Sequence, residues 1–371
     1  MMIGLLLLMA CEEGGSIEIK DPVGEDPAVD TDLPDSDPPV VDSDQPPEET
    51  DAPAPPADPP VPAAPCGNDL DVHNGTVTPR LARVPDGGVF AGDLNGDGPH
   101  RVVTRNGRVP NPNRGQDAIE VTTYAPEGDG VHPLVILMPG FGAGYAQYEH
   151  FSRPLASHGF VVVGLDFPSA GLIPTARHDE NAAEAVAVID WALTEGPFAA
   201  QIDPTKVAAL GHSLGGKIAF YAAALDPRID LVVGWDPQNS GGPPCNFDGL
   251  APGDCNDFPV APNCEARASG LLHQLRAESL VFGAEDGLLT PDAHLRAENF
   301  YRGAPSPAAF VHMPDASHAA WVFDGPEAAV TRQAHTALLL TRFAGVTGLE
   351  AWLPGGAALA GAEGVARVRV K

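Results

Sequence analysis

Lys206-Val207-Ala208-Ala209-Leu210-Gly211-His212-Ser213-Leu214-Gly215-Gly216-Lys217-Ile218-Ala219-Phe220-Tyr221 is the stretch that decides the fold of this chain. An apolar run of strand character enters a glycine-flanked serine, and an apolar run of helical character leaves it. The centre reads G-x-S-x-G, and strand, sharp turn, helix is the setting that a nucleophile elbow requires. The turn is so tight that the residues flanking the serine must be small, and Gly211 and Gly215 lack the Cβ that would clash. The serine hydroxyl is then held exposed above a sheet, at the positive end of a helix. That placement predicts acyl transfer through a serine ester.

Such chemistry needs three partners, and each has a segment of its own. Val131-His132-Pro133-Leu134-Val135-Ile136-Leu137-Met138 reads as a buried strand and runs into Pro139-Gly140-Phe141-Gly142-Ala143-Gly144. The backbone N–H groups of Phe141, in that loop, and of Leu214, after the serine, are the expected donors to a tetrahedral oxyanion. A serine hydroxyl is a poor nucleophile until an imidazole takes its proton. His318 is the expected base, because it follows the strand Phe310-Val311-His312-Met313 in a loop near the chain end. His312 and His294 are weaker alternatives, and His212 is expected to pack under the elbow. Two carboxylates can orient the imidazole. Asp286 follows the strand Ser279-Leu280-Val281-Phe282-Gly283 and is preferred. Asp236 ends Leu231-Val232-Val233-Gly234-Trp235 and is the alternative, while a shift of a single residue would hand the role to Glu285.

These segments, with Leu155-Ala156-Ser157-His158-Gly159-Phe160-Val161-Val162-Val163, Gly234-Trp235-Asp236-Pro237 and Asp315-Ala316-Ser317-His318, resemble the α/β-hydrolase superfamily. Within it they are similar to the branch of chlorophyllases and cutinase-like polyester hydrolases. The likeness covers about residues 115–345, in order and with sensible spacing. It implies an α/β-hydrolase fold, a mostly parallel central sheet with helices on both faces. It implies Ser213 as nucleophile, His318 as base, Phe141 and Leu214 as oxyanion donors, carboxylic esters as substrates, and no cofactor or metal. In polyester hydrolases an aromatic at the Phe141 position and a Trp near the Trp235 position flank the bound ester, which makes both residues substrate-binding candidates here. Chlorophyllases usually carry Arg where Leu214 stands, and some have the acid at the Asp236-like position. A serine peptidase or amidase on the same triad, or a non-catalytic surface binding protein, are the rival readings.

Composition supplies the context. Residues 12–65 hold 16 acids, one lysine and 14 prolines, a net charge of −15 out of −29 for the 371-residue chain. So few large apolar side chains cannot offset chain entropy, and a disordered, self-repelling tether is expected there. Nothing resembles a basic stripe, which argues against nucleic acid as a partner. Before the tether, the apolar run 3–10 is too short to span a bilayer as a helix. It ends Leu8-Met9-Ala10-Cys11, which resembles a bacterial lipobox cut before Cys11 and lipidated on it, although no Lys or Arg precedes the run. The expected organisation is a lipoprotein-type signal over 1–11, the linker over 12–65, a catalytic domain over 66–348 and a tail over 349–371. Export to the cell envelope, with a membrane anchor at Cys11, follows.

Cys66, Cys245, Cys255 and Cys264 fit disulfides in an oxidising compartment, with three possible connectivities. Three of them lie in the Pro- and Gly-rich stretch 238–270, read as a stapled cap over the site rim. Asp93-Leu94-Asn95-Gly96-Asp97-Gly98 matches the first half of a calcium loop, but Thr104 stands where the bidentate Glu belongs. An Asx/Gly turn is the preferred reading of that stretch. An amphipathic helix with Ala182, Val186, Ile189 and Leu193 on one face is expected over 180–193, a last long helix over 328–343, and a strand over 118–124. Alternating strand and helix implies a mostly parallel sheet covered on both sides.

Overall fold

A computed structural model describes Thr76, residues 87–113, 117–167, 178–238, Leu272, 274–284 and 297–371. Contacts divide the chain between Ala63 and Ala64, and the unit Ala64–Lys371 contains every described residue. Its centre is a nine-stranded sheet in the order β1-β2-β4-β3-β5-β6-β7-β8-β9. The strands are β1 (Val102–Val109), β2 (Ile119–Pro126), β3 (His132–Met138), β4 (Val161–Asp166), β5 (Ile202–His212), β6 (Ile229–Trp235), β7 (Glu278–Ala284), β8 (Ala308–Met313) and β9 (Arg367–Val370). From β4 through β8 neighbouring strands run parallel, while β1, β2 and β9 are antiparallel additions at the two edges. The fold is that of an α/β-hydrolase.

The central strands are nearly continuous apolar runs because both of their faces are covered. Successive side chains point to opposite faces. Leu134, Ile136 and Met138 of β3 therefore join one core and Val135 and Leu137 the other. The first core holds α2 (His178–Thr194), α3 (Leu214–Leu225) and α4 (Glu298–Gly303); the second holds α1 (Glu149–Ser157) and α5 (Pro326–Leu339). On α2 the buried stripe is Ala182, Ala185, Val188, Ile189 and Ala192, with Val186 and Leu193 only partly covered. The expected face of Ala182, Val186, Ile189 and Leu193 was thus rotated slightly from the true one. Pro326 opens α5, where its missing N–H costs nothing. A π-helical turn Leu340–Ala344 continues it to Gly345, whose φ of +69° ends the helix.

The tail, which had no sequence assignment, and the Asp93–Gly98 stretch, read as an Asx/Gly turn, are both structural. Arg367–Val370 of the tail pairs antiparallel with β8 and covers an edge that would otherwise be open. In the Asp93–Asn95 turn, Asn95 N–H donates to Asp93 Oδ1 at 2.9 Å, which is an Asx turn. Arg332 of α5 then donates to both Asn95 O and Asn95 Oδ1, at 3.1 Å each, so a guanidinium meets these oxygens.

Candidate active site

The elbow is built by close backbone approach. A Cβ on Gly211 would lie 2.4 Å from the carbonyl carbon and oxygen of Gly215, and one on Gly215 would lie 2.2 Å from Met138 O. Neither can exist without moving the turn. Ser213 itself stands at φ +53°, ψ −118°, outside the regions a residue with a side chain prefers. The strain is held by three backbone hydrogen bonds: Ser213 N–H donates to Trp235 O at 2.9 Å, and Ser213 O accepts from Lys217 N–H at 3.0 Å and Gln238 N–H at 3.3 Å.

Ser213 Oγ lies 2.8 Å from His318 Nε2. His318 opens a short 3₁₀ turn, His318–Trp321, in the loop after β8. Its Nδ1 lies 2.6 Å from Asp236 Oδ2, and both side chains are largely shielded from water. Asp236 is the residue after β6 and takes φ +43°. It is pinned there because its N–H donates to Phe282 O at 2.8 Å and its Oδ1 accepts from Ala284 N–H at 3.2 Å. The carboxylate on the imidazole is therefore Asp236, the alternative from sequence. Asp286, which was preferred, and Glu285 lie outside the described residues.

Leu214 begins α3, so its N–H is one of the first-turn amides that have no intrahelical acceptor. The loop after β3 presses against the serine: a Cβ on Gly140 would fall 3.4 Å from Ser213 Cβ. Phe141 follows it, half-buried. The loop that carries Phe141 and the elbow that carries Leu214 thus meet beside Ser213.

Trp235 must be corrected. It is fully buried, with its ring 4.1 Å from that of Phe151 and 5.6 Å from that of His335. Leu231, Val233 and Trp235 share one side of β6, and that side faces the core under α1 and α5. Trp235 is a core aromatic that supports the strand tip from beneath.

His212 packs under the elbow, and it does more than fill space. Its Nδ1 lies 2.8 Å from the Tyr148 hydroxyl and its Nε2 lies 2.8 Å from His318 O. Burial above all, then the neighbouring His318, holds its imidazole far below its ordinary pKa and so uncharged. Tyr148 was not legible as a site residue. It sits in a short 3₁₀ turn, Tyr145–Tyr148, and nothing in its sequence neighbours distinguishes it from an ordinary loop tyrosine. His312 is half-buried on β8 and stacks on Phe310. His294, Cys11, Cys66, Cys245, Cys255, Cys264, the linker and the cap stretch beyond Gln238 all lie outside the described residues. Among the described residues no group of three or more His, Cys, Asp or Glu could hold a metal ion, and no helix is long and apolar enough to cross a membrane.

Residues 96–247 match the family described as PETase, PET hydrolase-like. The chain is 24% identical over 201 residues to the cutinase est2 of Thermobifida alba, covering 53% of this chain and 56% of that one. It is 26% identical over 201 residues to a bis(hydroxyethyl) terephthalate hydrolase of Streptomyces coelicolor, covering 53% and 54%. A chloroplastic chlorophyllase-1 of Citrus sinensis is 32% identical over 117 residues, 30% of this chain and 34% of the relative. The chain thus spans a little over half the length of the cutinase and the terephthalate-ester hydrolase. The parallel sheet with helices on both faces and the elbow at Ser213 are those of an α/β-hydrolase fold, and the likenesses fall in its cutinase-like branch.

Proposed function

We propose that the domain hydrolyses carboxylic esters through Ser213, His318 and Asp236. The observation that carries this reading is the unbroken chain from Asp236 Oδ2 through His318 to Ser213 Oγ, at 2.6 and 2.8 Å. Asp236 holds the imidazole with Nδ1–H toward itself, which leaves the Nε2 lone pair facing the serine. Ser213 Oγ attacks the acyl carbon while Nε2 takes its proton, and the carbonyl electrons move onto oxygen. The amides of Phe141 and Leu214 receive that oxyanion. As the C–O bond breaks, His318 returns the proton to the departing alcohol. Water then attacks the acyl-enzyme by the same route and frees the acid and Ser213.

Three groups of relatives named for cutin, a terephthalate ester and chlorophyll support esters as the substrate class. Phe141, half-buried, is the aromatic that we take to flank the bound acyl group; Trp235, wholly buried, is not. Export of the enzyme and a lipid anchor at Cys11 belong to the same proposal, and rest on the sequence around Cys11.

Reaction of the full chain with a fluorophosphonate, followed by mapping of the modified peptide, tests the mechanism. Label on Ser213 that disappears in His318→Ala is expected. No label on the folded protein would favour the binding-protein reading. Matched ester and amide substrates then separate an esterase from an amidase.

A further inference from the structure

We infer that Tyr148 and His212 are positioning residues that tie the oxyanion loop to the histidine loop; the inference rests on the serine-hydrolase reading above. Neither residue has a place in the triad or in the oxyanion hole, yet their polar atoms form a connected path between the two.

Counting donors and acceptors fixes the direction of that path. His212 Nε2 lies 2.8 Å from His318 O, and a carbonyl can only accept, so Nε2 carries the hydrogen. The buried ring is neutral, so Nδ1 presents a lone pair. The Tyr148 hydroxyl, 2.8 Å from Nδ1, must then donate to it. That leaves the phenol oxygen to accept, and Gly140 N–H donates to it at 3.1 Å. The path runs one way: Gly140 N–H to Tyr148, Tyr148 O–H to His212, His212 Nε2–H to the His318 carbonyl. Gly140, Tyr148 and His212 are buried, so the bonds among them have no water to replace them.

The two ends matter. Gly140 is the residue before Phe141, so holding the Gly140 amide anchors the chain one peptide unit ahead of the Phe141 N–H. The His318 carbonyl belongs to the residue whose ring serves Ser213. His212 is the residue before Ser213. Three separated pieces of the mechanism are therefore registered against each other by two side chains that touch no substrate. Other bonds hold the far part of the same loop: Tyr145 N–H donates to Asp166 Oδ1 at 2.7 Å, and Gly144 N–H to Gln147 Oε1 at 3.0 Å. Gly140 itself is held by Tyr148.

A purely structural role would rest on the Tyr148 ring, which stacks with Trp235 at 6.3 Å between centroids. Tyr148→Phe keeps that ring and removes the hydroxyl. The readout is a matched pair of substrates, an oxygen ester and the thionoester of the same acid and alcohol. Sulfur accepts hydrogen bonds poorly, so the thionoester gains little from an oxyanion hole. Tyr148→Phe is expected to lower kcat on the oxygen ester about tenfold with KM within about twofold, since the loss is felt in the transition state. The oxygen-to-thiono rate ratio should fall by the same factor. His212→Asn keeps an amide oxygen where Nδ1 accepts from Tyr148, but it cannot reach the His318 carbonyl. It should lower both rates alike and leave the ratio intact. Folded Tyr148→Phe with wild-type turnover, or with equal losses on both substrates, overturns the inference. Should Tyr148→Phe not fold, His212→Asn decides, and unchanged kcat there overturns it. Turnover that survives Ser213→Ala sinks the serine reading first, and this inference with it.

Discussion

The elbow and the loop after β8 each bring a histidine to the same spot, with ring centroids 4.8 Å apart. In the proposed mechanism their surroundings give the two rings opposite work. His212 is wholly buried, and its two nitrogens meet a phenol and a backbone carbonyl. His318 keeps a little exposure, and its two nitrogens meet a carboxylate and the serine hydroxyl. An imidazole flanked by a carboxylate can hold the positive charge that a proton from serine brings; one flanked by a carbonyl and a phenol in a dry core cannot. Chemistry and scaffolding are thus separated by what each ring faces rather than by residue type.

The largest effect that could break this comparison is at His318. Replacing His318 or Ser213 by Ala should lower kcat on a p-nitrophenyl ester by about a million-fold, the size seen when a triad acts as one unit. A loss in His318→Ala no greater than that in His212→Asn would mean that the roles are misassigned. Next comes the carboxylate. Asp236→Asn should cost about ten-thousand-fold in kcat by leaving the wrong imidazole tautomer, whereas Asp286→Asn should stay within about fivefold of wild type. The reverse result would move the acid to the β7 loop and undo the mechanism proposed here.

A third histidine sharpens the contrast, with a smaller effect. His335 is completely buried against Trp235 and Phe151, and its pKa is held at about 3, first by burial and then by the Arg332 charge. The unfolded chain binds a proton there below the ordinary value of 6.5, while the folded one refuses it until about 3. Its contribution is therefore fully present above 6.5 and is lost as the pH falls toward 3. His212 acts in the same sense. Urea unfolding of His335→Phe at a series of pH values should show a slope of stability against pH flatter by up to about 1.4 kcal/mol per unit. An unchanged slope would show that acid sensitivity resides elsewhere.

Much of the site could be read from the chain because it is local. The G-x-S-x-G turn carries its own steric reason, and the Gly-rich end of β3 and the late histidine follow in a fixed order. What escaped reading was not local. The helix face on α2 was nearly right because its period is a property of the helix, but its rotation was set by what it packs against. Trp235 was a substrate-binding candidate by its resemblance to a Trp of polyester hydrolases. The period-two alternation with Leu231 and Val233 instead turns it into the core under α1 and α5. Tyr148 has no sequence signature, because its role exists only once β3, the elbow and the loop after β8 converge. The tail carried no readable pattern, since four residues at a sheet edge become a strand only when β8 is there to pair with them.

Sequence alone determined that this chain has an elbow, because Gly211 and Gly215 answer to sterics within a few residues of Ser213. It also determined the alternation of strands and helices, and with it the parallel sheet. Which carboxylate reaches His318 was decided by tertiary structure. Asp236 and Asp286 both follow strands that lie side by side, with Trp235 opposite Phe282, and no count along the chain tells the two tips apart. The choice falls to a backbone turn of positive φ at Asp236, held by Phe282 O, which aims one carboxylate oxygen at the imidazole and the other at the Ala284 amide.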